Sequence, residues 1–220
     1  MSALHPVRVS FEAVGVAPLT LAVAPSLAIR IRVRCDETSA VHAIVLQARL
    51  RLVPTSRSYT ECERARLVPL FGEAKQWAQT TRSPLTWAEA SIATGRFEGT
   101  TEIELVVPCT YDLALATAKL FDALDGGTLA VSILFSGTIF CDDLAGGLVV
   151  QPVPSQDDVR VVLPIDIWRA VMEAHHPDGA LVRLSRPLAD RIRALGGSMA
   201  SLERTLATLV DEVEQQRSRP

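Results

Sequence analysis

Lysine is nearly missing from this chain: of 22 basic residues only Lys75 and Lys119 are lysines, and the rest are arginines. Beside abundant alanine and valine, that bias reads more simply as a GC-rich bacterial coding sequence than as phosphate recognition. An excess of either charge is also lacking. The net charge is −3 with a pI near 5.8, so no global field recruits nucleic acid, and nucleic-acid binding is not expected. Cysteines are few and unpaired in sequence. Cys35, Cys62, Cys109 and Cys141 form no CxxC, so neither a zinc site nor a redox pair is indicated by spacing. Apolar runs stay short. The most apolar stretch, around Leu129–Phe135, is interrupted by Ser132 and is far too short to span a bilayer. The opening residues Met1–Pro6 lack a charged stretch followed by an apolar core, so no secretory signal is expected and a cytoplasmic protein is. Catalytic signatures are missing too: no Gly-x-Ser-x-Gly, no GxGxxG and no P-loop occur. No nucleophile, metal ligand set or cofactor is nominated.

What the chain does contain is alternation. Leu27, Ile29, Ile31 and Val33 are aliphatic, while Arg30, Arg32 and Arg34 fall between and after them; Leu46, Ala48, Leu50 and Leu52 likewise alternate with Gln47, Arg49 and Arg51. Successive side chains of a strand point to opposite faces, so these stretches predict strands buried on one side and arginine-bearing on the other. The turn-forming residues Asp36–Ser39 between them predict a hairpin of 26–34 with 42–52. An arginine face requires carboxylates. The alternating strand Thr101–Val107, with Glu102 and Glu104, is therefore expected on the same sheet, or else the acidic helix near residue 61 covers it. Solvated cross-strand ion pairs are one reading of this face, and a basic facet for an acidic protein partner is the other.

Further strands are predicted at 7–14, 85–93, 128–141 (whole, or broken at Ser136-Gly137), 148–152 and 159–163, with a short or edge strand at 19–24 between Pro18 and Pro25. A helical insert near 60–80 opens on Thr60-Glu61-Cys62-Glu63. A helix follows over 112–124 and stops at Asp125-Gly126-Gly127. From Pro164 the character turns helical: 165–175, then a helix entered through Ser185 and Pro187, then roughly 198–215. Met199, Leu202, Leu206, Leu209 and Val213 draw a seam of about two heptads on the last of these. The pattern is α+β: an antiparallel sheet or two-layer sandwich over 1–163 with a helical insert, and C-terminal helices over 164–220 packed on it.

The interface candidates are Arg30, Arg32, Arg34, Arg49 and Arg51, an exposed Trp77 beside Lys75 and Gln76, and Leu202, Leu206 and Leu209 of the seam. Trp168 is expected in the core. Cys141-Asp142-Asp143 reads as a turn, and His175-His176 as partners of the carbonyls at a helix C-terminus.

Three segments read together resemble a known family: Val107-Pro108-Cys109-Thr110-Tyr111-Asp112, the run Ser132–Phe140, and Leu163-Pro164-Ile165-Asp166-Ile167-Trp168. They resemble an uncharacterised bacterial family of similar length, often encoded near nickel–iron hydrogenase genes, and the resemblance runs from about Val9 to Val210. It implies an accessory or assembly role around a hydrogenase, with hydrogenase subunits or maturation proteins as partners, and carries no site residue with it. The expected function is therefore a non-catalytic protein-binding or assembly factor. Two alternatives stand beside it. One is a metal- or redox-handling accessory enzyme in which Cys109 and Cys141, with Cys35, converge; the other is a homo-oligomer built through the C-terminal helix.

Overall fold

A computed structural model of the chain describes residues 7–19, 21–35, 40–77, 81–82, 84–109, 115–142, 147–154, 158–175, 177, 184–196 and 201–218. Among these, the strands are β1 (Val9–Pro18), β2 (Ser26–Cys35), β3 (Val41–Val53), β4 (Leu85–Ala93), β5 (Thr100–Pro108), β6 (Thr128–Asp142), β7 (Leu148–Pro152) and β8 (Val159–Pro164). The helices are α1 (Glu61–Phe71), α2 (Leu115–Ala123), α3 (Ile165–His175), α4 (Arg186–Gly196) and α5 (Leu202–Arg217). The protein is α+β, with two antiparallel sheets. The chain forms two compact units, Met1–Pro177 and Asp178–Pro220. α3 falls in the first unit, with the strands.

The predicted hairpin of 26–34 with 42–52 does not form. β2 instead sits centrally in a three-stranded sheet, β1-β2-β5, while β3 lies in a second sheet, β4-β3-β6, whose far edge is shared by β7 and β8. Both strands bury the aliphatic sets that alternation picked out, and they do so across the sandwich: Leu27, Ile29, Ile31 and Val33 share one core with Ile44, Leu46, Leu50 and Leu52. Period two reports which face is buried, not which strand lies alongside. The connection Asp36–Ser39 lies outside the described residues.

β6 is the backbone of the second sheet. One edge pairs with β3 from Ala130 to Cys141, while its other edge pairs first with β8, from Thr128 to Ile133, and then with β7, from Thr138 to Asp142. The strand is unbroken at Ser136-Gly137. Gly137 has φ +154, and a Cβ there would collide with the backbone of Val45, so only glycine lets the two chains approach this closely. Of the expected strand over 19–24, none of the described residues is in a strand, and Leu21 and Val23 are fully exposed. Pro18 and Pro25 bracket the segment, and the Leu19 amide donates to the Ser26 carbonyl, which ties the end of β1 to the start of β2.

α1 begins with a capping box: Thr60 accepts from the Glu63 amide, and Glu63 accepts from the Thr60 amide. The Glu63 carboxylate is 1% exposed, and it also pairs with Arg57 and accepts from the Asp125 amide. A buried charge with these donors is compensated rather than orphaned. α3 buries Ile165, Trp168 and Val171. Trp168 stacks on Phe121 of α2 with centroids 4.3 Å apart, and both meet Trp87 of β4 edge-on. Trp168 thus anchors its helix in the core, as its pattern predicts. The expected start of the 112–124 helix at Asp112 lies outside the described residues, as do His176, Asp143 and Ser198.

Candidate functional site

The five arginines do not form one facet. Arg30, Arg32 and Arg34 lie on the outer face of the first sheet, and Arg49 and Arg51 on that of the second, because β2 and β3 belong to different sheets. On the first sheet Glu104 stands opposite Arg30, and Glu102 opposite Arg32, as the expected neighbouring strand. Arg32 donates to Glu102 at 2.9 Å and to Glu12 of β1 at 3.4 Å, and Arg34 reaches Glu12 at 2.9 Å. Three arginines therefore face three glutamates. The face is a neutral lattice of solvated pairs, each worth little to stability, rather than a basic patch.

On the second sheet Arg49 pairs with Glu89 at 2.8 Å, and Arg51 pairs with Asp158, which also accepts from Ser132. A shallow hollow of about 310 Å³ opens here. Its walls are the outward side chains Gln47, Arg49, Glu89, Ser91, Leu134 and Ser136. Further along the same face the polar residues give way. Ala43 lies opposite Phe140, and Phe140 opposite Val150; Val45 lies between Ala93 and Thr138; Leu148 lies opposite Asp142. Val45, Leu148 and Val150 are 47%, 65% and 57% exposed. At the margin His42 Nε2 lies 2.7 Å from Asp142 Oδ1, a half-buried polar pair. One sheet face thus carries an apolar area with ion pairs and a histidine–aspartate pair at its rim.

None of these apolar residues was singled out from sequence. Val45 is the aliphatic exception among the outward-facing Gln47, Arg49 and Arg51, and Leu148-Val149-Val150 lacks the polar alternation of a half-solvated strand. That was the available signal. Only the register shows that the two segments meet through Phe140.

The remaining candidates fall elsewhere. Trp77 is half-buried: it packs edge-on to Tyr59 and Phe71, and its indole donates to the Gly72 carbonyl. It covers α1 rather than standing out as an anchor. In the C-terminal unit Leu202 and Leu209 are half-buried and Leu206 is exposed, with Val210 and Val213 also exposed beside them. His175 places Nδ1 2.9 Å from the Val171 carbonyl and Nε2 3.1 Å from that of Ala22, so it serves carbonyls as the sequence suggested.

The cysteines are split between the two ends of the sandwich. The Cys109 amide bonds Pro25 at the start of β2, whereas Cys35 ends that strand and bonds Gly99. Cys141 pairs with Val41, which in turn bridges Phe97, and so sits at the Cys35 end. β2 spans roughly 30 Å at about 3.3 Å per residue, so Cys109 and Cys35 cannot share a ligand. Burial pushes the Cys109 thiol up to about 12 and raises that of Cys141 as well, which makes both poor nucleophiles. Cys62 alone is exposed. Among the described residues no group of three or more His, Cys, Asp or Glu side chains is placed to hold a metal ion, and no helix is long and apolar enough to cross a membrane.

A family model described only as a family of unknown function, DUF6084, matches residues 6–218. No curated protein matches the sequence.

Proposed function

We propose that this chain, which belongs to the DUF6084 family, is a non-catalytic protein-binding factor that engages its partner through the outer face of its second sheet. One observation carries the reading: Val45, Leu148 and Val150 are exposed together around Phe140, with charged and hydroxyl side chains at their edge. The solvated face of an antiparallel sheet is ordinarily polar. A contiguous apolar area rimmed by polar groups is the composition of a protein interface. The enzymatic alternative loses its main support, because Cys109 sits at the opposite end of the sandwich from Cys35 and Cys141. In this reading the protein works in the cytoplasm, and the partners to test first are hydrogenase subunits and their maturation proteins, the class implied by the family resemblance of the three segments above.

The test is affinity capture of the tagged full chain from its native host, beside a Val45→Glu, Val150→Glu variant. Both positions are exposed, so the variant should retain its thermal midpoint within a few degrees. Stoichiometric recovery of hydrogenase subunits or maturation proteins by the wild type, lost in the variant, is the expected result. Recovery of the bait alone, or capture indifferent to the variant, overturns the proposal.

A further inference from the structure

The C-terminal unit, Asp178–Pro220, is a pair of helices with very little interior. Among its described residues only Ile192 and Thr205 are buried. The helices approach closely at one point, where a Cβ on Gly196 would collide with the Thr205 side chain. Only five residues, 197–201, separate the two helices in sequence, a length that suits antiparallel neighbours. Leu188 and Leu195 on α4, and Leu206, Val210 and Val213 on α5, remain exposed. Both sets recur at intervals of three, four or seven, so each is a stripe along one side of its helix. Two short helices gain their stability from packing such stripes, not from propensity, so this pair is incomplete without a further layer.

The charges say what that layer is. α4 carries Arg186, Arg191 and Arg193 against Asp190, and α5 carries Glu203, Asp211, Glu212 and Glu214 against Arg204 and Arg217. One helix is basic and the other acidic, by two charges each. At about 100° per residue, Arg191 flanks the α4 stripe on the side away from α5, and Glu203 and Glu214 flank the α5 stripe on the side away from α4. These edges are the ones a second pair of helices would meet. If a second copy packs its stripes on the first about a two-fold axis with α4 beside the partner's α5, every neighbouring pair in the resulting four-helix bundle is basic against acidic. Packing α5 on α5 would instead join two acidic faces.

We infer that residues 186–217 form a homodimerisation module: α4 of each copy packs on α5 of the other, burying Leu188, Leu195, Leu206, Val210 and Val213, with Arg191 facing Glu203 and Glu214 across the interface. This surface is separate from the sheet face assigned to the protein partner, so either can fail alone.

Sedimentation equilibrium of the full chain at micromolar concentration tests it. The expected mass is twice 23.8 kDa. Leu206→Glu with Val210→Glu should raise the dissociation constant at least about tenfold, since association would bury unpaired carboxylates, while circular dichroism keeps its helical signal. Arg191→Glu alone, and Glu203→Arg with Glu214→Arg alone, should each weaken self-association. An equimolar mixture of those two variants should recover a heterodimer, a rescue that loss of folding could not produce. A monomeric wild type overturns the proposal, including one whose stripe is protected from hydrogen exchange because something within a single copy covers it. So does a dimer untouched by the Leu206 and Val210 changes, or a charge-reversal mixture that stays monomeric.

Discussion

Tyr59 donates its hydroxyl to the Pro54 carbonyl at 2.6 Å under the edge of Trp77, and burial pushes its pKa up to about 12. Cys109, buried at the end of β5, is pushed up to about 12 by the same desolvation. In both, the neutral form is the one the fold accommodates. Above their ordinary values of 10.0 and 9.0 the unfolded chain releases these protons while the folded chain keeps them, so stability falls as pH rises. The contribution is complete below pH 9 and is lost progressively toward pH 12. Urea midpoints should therefore decline across that window. Cys109→Ala should flatten the part that begins near pH 9, and Tyr59→Phe the part between about 10 and 12. A decline identical in wild type and both variants would show that these groups do not govern it. Spacing in the sequence gives Cys109 no partner, and nothing in it tells that Tyr59 is buried, since that depends on Trp77 folding back over α1.

The eight strands show what pattern can and cannot deliver at the level of the element. The clear alternation over Thr101–Val107 and over Ser26–Arg34 is realised as β5 and β2, and the opposition of Glu102 and Glu104 to arginines holds in the register. Charge balance made that pairing legible. The run 128–141 left two readings, because Ser136-Gly137 in a strand is equally a break or a close approach. Structure decides for the second: β6 continues, and the Gly137 Cα lies against the Val45 backbone. Gly137→Ala should consequently destabilise the protein by about 1–3 kcal/mol, through collision and an unfavourable φ. Gly126→Ala, at a position where a Cβ meets nothing within 4 Å, should change stability by no more than about 0.5 kcal/mol. Equal effects in urea unfolding would mean that the close approach at β3–β6 is relaxed without loss.

For the molecule as a whole, the least legible property was which strand lies beside which. A sandwich and a single sheet place the same residues inside, so the periodicities of 26–34 and 42–52 fit both, and a short polar connection serves a hairpin as well as an arch between sheets. The arginine facet inferred from adjacency in sequence was divided for that reason. The apolar face was missed for the converse one: Val45, Phe140, Leu148 and Val150 are distant in sequence and meet only through pairings along β6. The division of the chain carries its own consequence. Among the described residues, every member of that core and those packed against it lie between Val7 and Met172, inside the unit Met1–Pro177, and that length is ample for one hydrophobic core. A chain ending at Pro177 should therefore unfold in a single cooperative transition, with the near-ultraviolet dichroism of the Trp87, Phe121 and Trp168 cluster intact. It should also sediment as a monomer and still capture whatever the sheet face binds. A truncated chain that loses its near-ultraviolet signal would show that the sandwich depends on residues 178–220 for its fold. One that folds but still sediments as a dimer would move self-association from the helical pair to the sheets.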